Sequence, residues 1–238
     1  MKADGVSSIS LTACRPAATH EECSTAARHF RLQYRSSVVW DAGGEPMNDT
    51  AQALRSAQRS GLKPLLFLDF DGAICHGMPY GWHEVFSDVR PVDLWERLWH
   101  QPAVAVLRTV MTELQPAVVV TTSWLSLGDR SDFVEIFRNT GLSEVSDAFD
   151  ARQWQAPALR GETRNDAIER WLRKQRQWLA PKVVLDDELS GTGLRGSKLD
   201  KSGSVVWCER GVGLHMEHLP QIRRALALPR GATHAAAT

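Results

Sequence analysis

The 238-residue chain has no net charge, its 28 Lys and Arg being balanced by 28 Asp and Glu. A chain without a global basic field does not bind nucleic acid or an anionic membrane by bulk electrostatics, although a local basic patch remains open. No apolar run approaches the ~20 residues of a membrane span. The amino terminus lacks the apolar core of a secretory signal. Cysteine is scarce: Cys14, Cys23, Cys75 and Cys208 form no CxxC pair and no tight His/Cys spacing, which excludes a sequence-local zinc site and gives no sign of a disulfide framework. Reduced thiols and a cytoplasmic address are the expectation. There is no internal repeat.

A length of 238 residues suggests one domain with an appendage, and 43% hydrophobic residues is ordinary for a globular chain. Nine tryptophans are many, and most sit in the middle of the chain. Core packing is the expected use, a stacking surface the alternative. Residues 1–60 are weakly patterned and are read as an N-terminal extension, poorly ordered over 1–46, with Met47 as an alternative start. Within them, Leu32–Trp40 reads as a strand without an obvious partner, a GGEP turn follows at 43–46, and 49–59 is helix-like.

From Leu65 the pattern alternates between strand and helix. The aromatic stretch 74–100 is irregular, and Pro102 then opens a helix through Leu114, with Val104, Leu107, Val110, Met111 and Leu114 at helical spacing. AVVVTTSW (117–124) is a buried strand ending in hydroxyls, 132–139 a short helix stopped near Gly141, and 144–149 a weaker strand. An amphipathic helix is expected over 164–179, with Ile168, Trp171, Leu172, Gln175 and Leu179 inward. PKVVLDDE (181–188) and 204–208 are further strands, and a helix over 219–228 closes a domain spanning 61–228, ahead of a flexible tail at 229–238. Strands separated by helices indicate right-handed crossovers and a mainly parallel three-layer α/β sheet.

The chain is organised around LLFLDFDGAICHG (65–77), an apolar strand ending in Asp69 and Asp71 with Gly72 at the turn. Strands of this kind deliver acids to the carboxyl edge of a parallel sheet. Residues i and i+2 share one side of a strand, so both acids face one site if strand geometry persists through Asp71. Carboxylates that close repel unless a cation sits between them, and Mg²⁺ is the common partner. Taken alone, Asp-x-Asp-Gly is equally a strand ending in a solvated turn. A calcium EF-hand is excluded, because Gly72 follows too early and no ligand ladder comes after it.

Three further signals follow in order: Thr121, Thr122 and Ser123 end one strand, Arg164 opens a helix, and Asp186 with Asp187 ends a later strand. The ordered set, with TTSW, RNDAIERWL, VVLDDE and a late GVGL turn, resembles the haloacid dehalogenase (HAD) superfamily over about residues 62–228. The best match is a compact, nearly capless hydrolase-like branch that also occurs attached to RNA-repair proteins. This resemblance implies a Rossmann-like HAD fold with a minimal cap and a Mg²⁺-dependent phosphatase. In it Asp69 is the nucleophile that forms an aspartyl phosphate, and Asp71 is the acid and base. It further implies that Mg²⁺ is held by Asp69, the backbone carbonyl of Asp71 and Asp186, that Asp187 steadies a metal-bound water, and that Thr121, or next Thr122, grips phosphoryl oxygens.

The family normally has a lysine before its fourth motif. Arg164 is the expected replacement, with Arg160 and Lys182 as alternatives and a surface helix position as the plain reading of Arg164. His76, Trp82 and His83 stand where the family has a flap, where substrate contact and packing are both open. Cys75 reads as a buried filler, and Arg170, Arg173, Lys174 and Arg176 as a solvated helix face. About 50 residues separate Asp71 from Thr121 and about 43 separate Thr121 from Arg164, too few for a large cap once the crossover helices are counted. By resemblance, an open site of this kind meets macromolecular phosphates or nucleic-acid ends. The expected partner is therefore a phosphorylated substrate and not a membrane. The rival readings are a polynucleotide-end phosphatase and a catalytically weak phosphate-binding module.

Overall fold

The computed structural model describes residues 62–227 and, before them, the backbone of two short strands, β1 (Val39–Trp40) and β2 (Pro46–Met47). The chain divides into two compact units, Met1–Asn48 and Asp49–Thr238. In the first, β1 pairs antiparallel with β2, Val39 opposite Met47 and Trp40 opposite Pro46. The strand expected within Leu32–Trp40 thus has a partner seven residues on, formed across the stretch read as a turn. The helix-like 49–59 and the tail from 228 lie outside the described residues.

In the second unit four strands, β3 (Leu65–Leu68), β4 (Ala117–Val120), β5 (Lys182–Asp187) and β6 (Val205–Cys208), form one parallel sheet in the order β4-β3-β5-β6. All of β3, β4 and β5 is buried. Near-continuous apolar runs are what a sheet covered on both faces requires. Alternate residues serve opposite layers. Leu66, Leu68, Val118, Val120, Val183, Leu185 and Val206 face one hydrophobic core, while Leu65, Phe67, Ala117, Val119, Val184 and Val205 face a second. The result is a three-layer α/β fold.

The helices follow from periodicity and caps. One-turn helices α1 (Trp82–Val85) and α2 (Leu94–Arg97) punctuate the aromatic stretch after β3. Then α3 (Gln101–Leu114) carries a proline in its first turn and buries Val104, Leu107, Val110, Met111 and Leu114. Next, α4 (Arg130–Asn139) is capped by Asp129, whose side chain accepts from the backbone N–H groups of Ser131 and Asp132. On the other layer, α6 (Arg164–Lys174) is capped by Thr163 and buries Ile168, Trp171 and Leu172, and α7 (Lys198–Lys201) buries Leu199; α8 (Leu219–Ala227) returns to the layer of α3, burying Ile222 and Leu226. Among the described residues no helix is long and apolar enough to cross a membrane.

Two expectations are corrected. Residues 144–149 are not a strand: Ser143–Asp147 forms a short helix, α5, and only Phe149 bridges β4, opposite Val118. Gly141, at φ +72°, turns the chain so that Leu142 is buried with its N–H on the Phe137 carbonyl, and the next residues wind rather than extend. The helix expected to reach Leu179 ends at Lys174. Arg176 is left-handed (φ 55°), the Gln177 N–H bonds the Leu172 carbonyl, and Leu179 is 63% exposed. Of the tryptophans, Trp99, Trp124 and Trp171 are core residues, while Trp82 and Trp178 are exposed.

Candidate active site

The carboxyl ends of β3 and β5, neighbours at the centre of the sheet, bring their acids together. Asp69 follows β3 directly and extends its ladder, its N–H donating to the Leu185 carbonyl at 3.0 Å. Asp186 and Asp187 are the last residues of β5. All three side chains are buried, and one oxygen from each lies within 4.8 Å of the other two.

Ser190 stands among them. Its Oγ is 2.7 Å from Asp69 Oδ2 and 2.8 Å from Asp186 Oδ1, and it also contacts Asp187 Oδ1. A hydroxyl has one proton to donate, so it cannot satisfy three carboxylates. Asp187 Oδ1 also accepts from the backbone N–H groups of Leu189 and Ser190, an Asx-type turn that fixes the serine's place. Nothing in the chain pattern singles out Ser190 except its position three residues after an acidic pair. Sequence reasoning did not select it.

The cation at the site is Arg164, only 6% exposed. Its Nη2 lies 3.0 Å from Asp69 Oδ1 and its Nε lies 3.0 Å from Asp186 Oδ2. The second contact is an ion pair without hydrogen-bond alignment, and Asp186 Oδ2 has no donor among the described residues. Position follows from the helix start. The Arg164 N–H donates to Thr192 Oγ1 and the Asn165 N–H to the Thr192 carbonyl, tying α6 to the loop after β5. Gly193 (φ +72°) makes that approach feasible, since a Cβ there would lie 2.6 Å from Thr163 Oγ1. The surface reading of Arg164 does not hold. Of the alternatives, Arg160 is exposed, and Lys182 begins β5 at the far edge of the sheet, with Nζ on the Trp178 carbonyl at 2.7 Å.

One guanidinium does not balance three buried acids. Burial pushes the Asp69 carboxyl above its ordinary range in spite of Arg164 and Ser190. Burial and then the Asp69 charge push Asp186 up to about 8. The surplus negative charge, the orphaned Asp186 oxygen and the all-oxygen donor set fit a hard divalent cation such as Mg²⁺.

Asp71 stands apart. Strand geometry does not persist to it, and its carboxylate is not in the acid cluster; Oδ2 instead accepts from Trp124 Nε1 at 2.9 Å and Ser123 Oγ at 3.4 Å. Burial raises its carboxyl, against the two hydrogen bonds. Gly72, at φ +73°, permits the turn between the acids: a Cβ there would lie 2.7 Å from Asp187 Cγ.

Thr121 is buried at the end of β4, its N–H on the Leu68 carbonyl, and its Oγ1 has no partner among the described residues. Thr122 is committed elsewhere, its Oγ1 accepting from the backbone N–H of Trp124 to cap the 3₁₀ turn Ser123–Ser126. Of the flap residues, Trp82 and His83 are exposed, and the His76 ring packs with its centroid 4.2 Å from that of His100, the two planes tilted by 34°. Cys75 is buried, which pushes its thiol up to about 12 and makes it a filler. On α6, Arg173 and Lys174 are exposed, as is Arg176 just beyond the helix, whereas Arg170 bonds Glu162 and the Pro157 carbonyl.

A family model described as the HAD domain in Swiss Army Knife RNA repair proteins matches residues 65–219. No curated protein and no solved structure matches the chain.

Proposed function

The chain belongs to the family of HAD domains found in Swiss Army Knife RNA repair proteins, and from that premise we propose that it is a Mg²⁺-dependent phosphatase acting through Asp69. The observation that carries this reading is the buried Asp69 held between Arg164 and the Asp186–Asp187 pair. Of its side-chain partners, Asp69 Oδ2 faces Ser190 and the acid cluster, whereas Oδ1 faces Arg164. Oδ1 is therefore the attacking atom.

In the first half-reaction Oδ1 forms a bond to phosphorus as the bond to the leaving oxygen breaks. The electron pair departs with that oxygen, which takes a proton from Asp71. In the second half a water oxygen attacks phosphorus, the pair in the aspartyl P–O bond returns to Asp69, and the water proton passes to Asp71. Arg164 holds Oδ1 in place, and its guanidinium offsets the charge of two anions. Thr121 Oγ1, buried and free to donate, takes a phosphoryl oxygen. Asp69, Asp186 and the Asp71 carbonyl would hold Mg²⁺, with Asp187 steadying a bound water, and the ion supplies positive charge against the phosphoryl group.

The two one-turn helices after β3 make only a minimal cap, which suits a phosphate presented on a macromolecule. The RNA-repair description of the family makes phosphorylated oligonucleotide ends the first class to screen. The deciding experiment is hydrolysis of an aryl phosphate with and without Mg²⁺ by the wild type and by Asp69→Asn. Metal-dependent turnover that vanishes in the variant is expected. Equal turnover by both proteins sinks the mechanism. Mg²⁺-dependent phosphate binding with no turnover on aryl phosphate or phosphorylated oligonucleotides would instead support a binding module.

A further inference from the structure

Resting on the phosphatase reading, we propose that Trp124 is a positioning residue, whose indole N–H pins Asp71 Oδ2 and so presents Oδ1 as the oxygen that exchanges the proton with the leaving group and with water. Trp124 is fully buried, and its ring is clamped on three sides. Phe70 meets it edge-on at 5.2 Å, Trp99 stacks at 5.9 Å with 27° between the planes, and Phe86 lies at 6.3 Å. A ring so held has one direction for its N–H, and that direction ends on Asp71 Oδ2 at 2.9 Å. The other two buried indoles do not use an acid, Trp99 donating to Thr140 Oγ1 and Trp171 to the Gln153 carbonyl, while the half-buried Trp207 donates to Asp200, away from the site.

Ser123, the residue before it, sends its hydroxyl toward the same oxygen at 3.4 Å. Both donors converge on Oδ2, and Oδ1 has none among the described residues. An oxygen accepting a fixed N–H acts as the carbonyl side of the acid, which leaves the proton to its partner oxygen. Holding a reacting group by hydrogen bonds from a packed outer shell is how active sites keep a side chain in productive geometry. Without the indole the carboxyl rotates, and the proton is not aimed at the leaving oxygen.

A general acid matters most where the leaving group is poor. The test compares kcat/KM, which reports the leaving-group step, for an aryl phosphate (p-nitrophenyl phosphate) and an alkyl phosphate (glycerol phosphate). Trp124→Phe, which keeps an aromatic ring but has no N–H, is expected to lose about tenfold or more on the alkyl ester and under about threefold on the aryl ester. In an Asp71→Asn background the same substitution should add nothing, because there is no acid left to position. Equal losses on both esters, or a further loss in that background, overturn the proposal and make Trp124 a packing residue. If Trp124→Phe does not fold, Ser123→Ala removes a donor to the same oxygen from outside the core. It should show the same leaving-group dependence at smaller amplitude, and a uniform effect overturns the proposal. A wild type without Asp69-dependent turnover refutes the phosphatase reading itself, an outcome distinct from either.

Discussion

Arg164 Nη2 lies 3.0 Å from Asp69 Oδ1, although 95 residues of chain separate the two. The pair spans two structural layers, a strand end and a helix start, and both side chains are buried. Removing one partner of a buried pair strands the other, a cost of about 3–5 kcal/mol. Arg164→Met should therefore lower both stability and turnover, the latter by about a hundredfold or more. Arg164→Lys restores charge but not the two-armed contact and should recover only part of kcat. Denaturant unfolding and aryl phosphate kinetics on the two variants check this, and a Met variant as active as wild type removes Arg164 from the mechanism.

The acid cluster sets a pH dependence of stability. Asp186 is raised in the folded state to about 8 from an ordinary 3.8, chiefly by burial, and Asp69 is raised as well. For a carboxyl whose pKa rises on folding, the folded state binds more protons, so the stabilisation is complete below the unfolded value and is lost as pH rises through the folded one. The metal-free protein should therefore melt at progressively lower temperature between about pH 4 and 8. Added Mg²⁺ should raise the melting temperature more at pH 8 than at pH 5, because the ion binds the ionised cluster. A metal effect independent of pH contradicts this account.

Ser190 ties the three acids together, and its loss loosens their geometry. Ser190→Ala should raise the Mg²⁺ concentration for half-maximal activity by about tenfold, with kcat at saturating metal changed far less. Metal titration of turnover measures both. An unchanged Mg²⁺ requirement makes the serine a bystander.

Gly72 has two reasons to be glycine: a positive φ and the Asp187 side chain lying where a Cβ would sit. Gly72→Ala should cost at least about 1 kcal/mol in stability through backbone strain, and more through the clash. Activity should fall with it, because relief of the clash moves Asp187. Thermal melts alongside Mg²⁺-dependent activity distinguish the two effects. An Ala variant with wild-type melting temperature contradicts the packing argument.

Much of the fold is legible in the residues, because the signals are local. Leu65–Leu68, Ala117–Val120 and Val183–Leu185 are uninterrupted apolar runs, as a sheet covered on both faces needs, and 101–114 and 164–172 carry an unbroken helical period. Short segments misled. Residues 144–149 have too few positions for a period to show, and the left-handed turn at Gly141 decides them. Likewise the apolar Leu179 suggests a longer helix than the left-handed Arg176 allows.

The order of acids and hydroxyls along the chain is a property of the sequence alone, as is their place at strand ends. Which cation meets Asp69 is not. Arg160, Arg164 and Lys182 all carry a positive charge, and only the placement of β3 beside β5, with α6 docked over Thr192, brings Arg164 to the carboxylates. The same holds for Ser190 among three acids and for the Trp124 N–H on Asp71, 53 residues away. Strand and helix formation depend on neighbours along the chain. Hydrogen bonds and ion pairs between side chains depend on distances of a few ångströms, and only the packed layers set those.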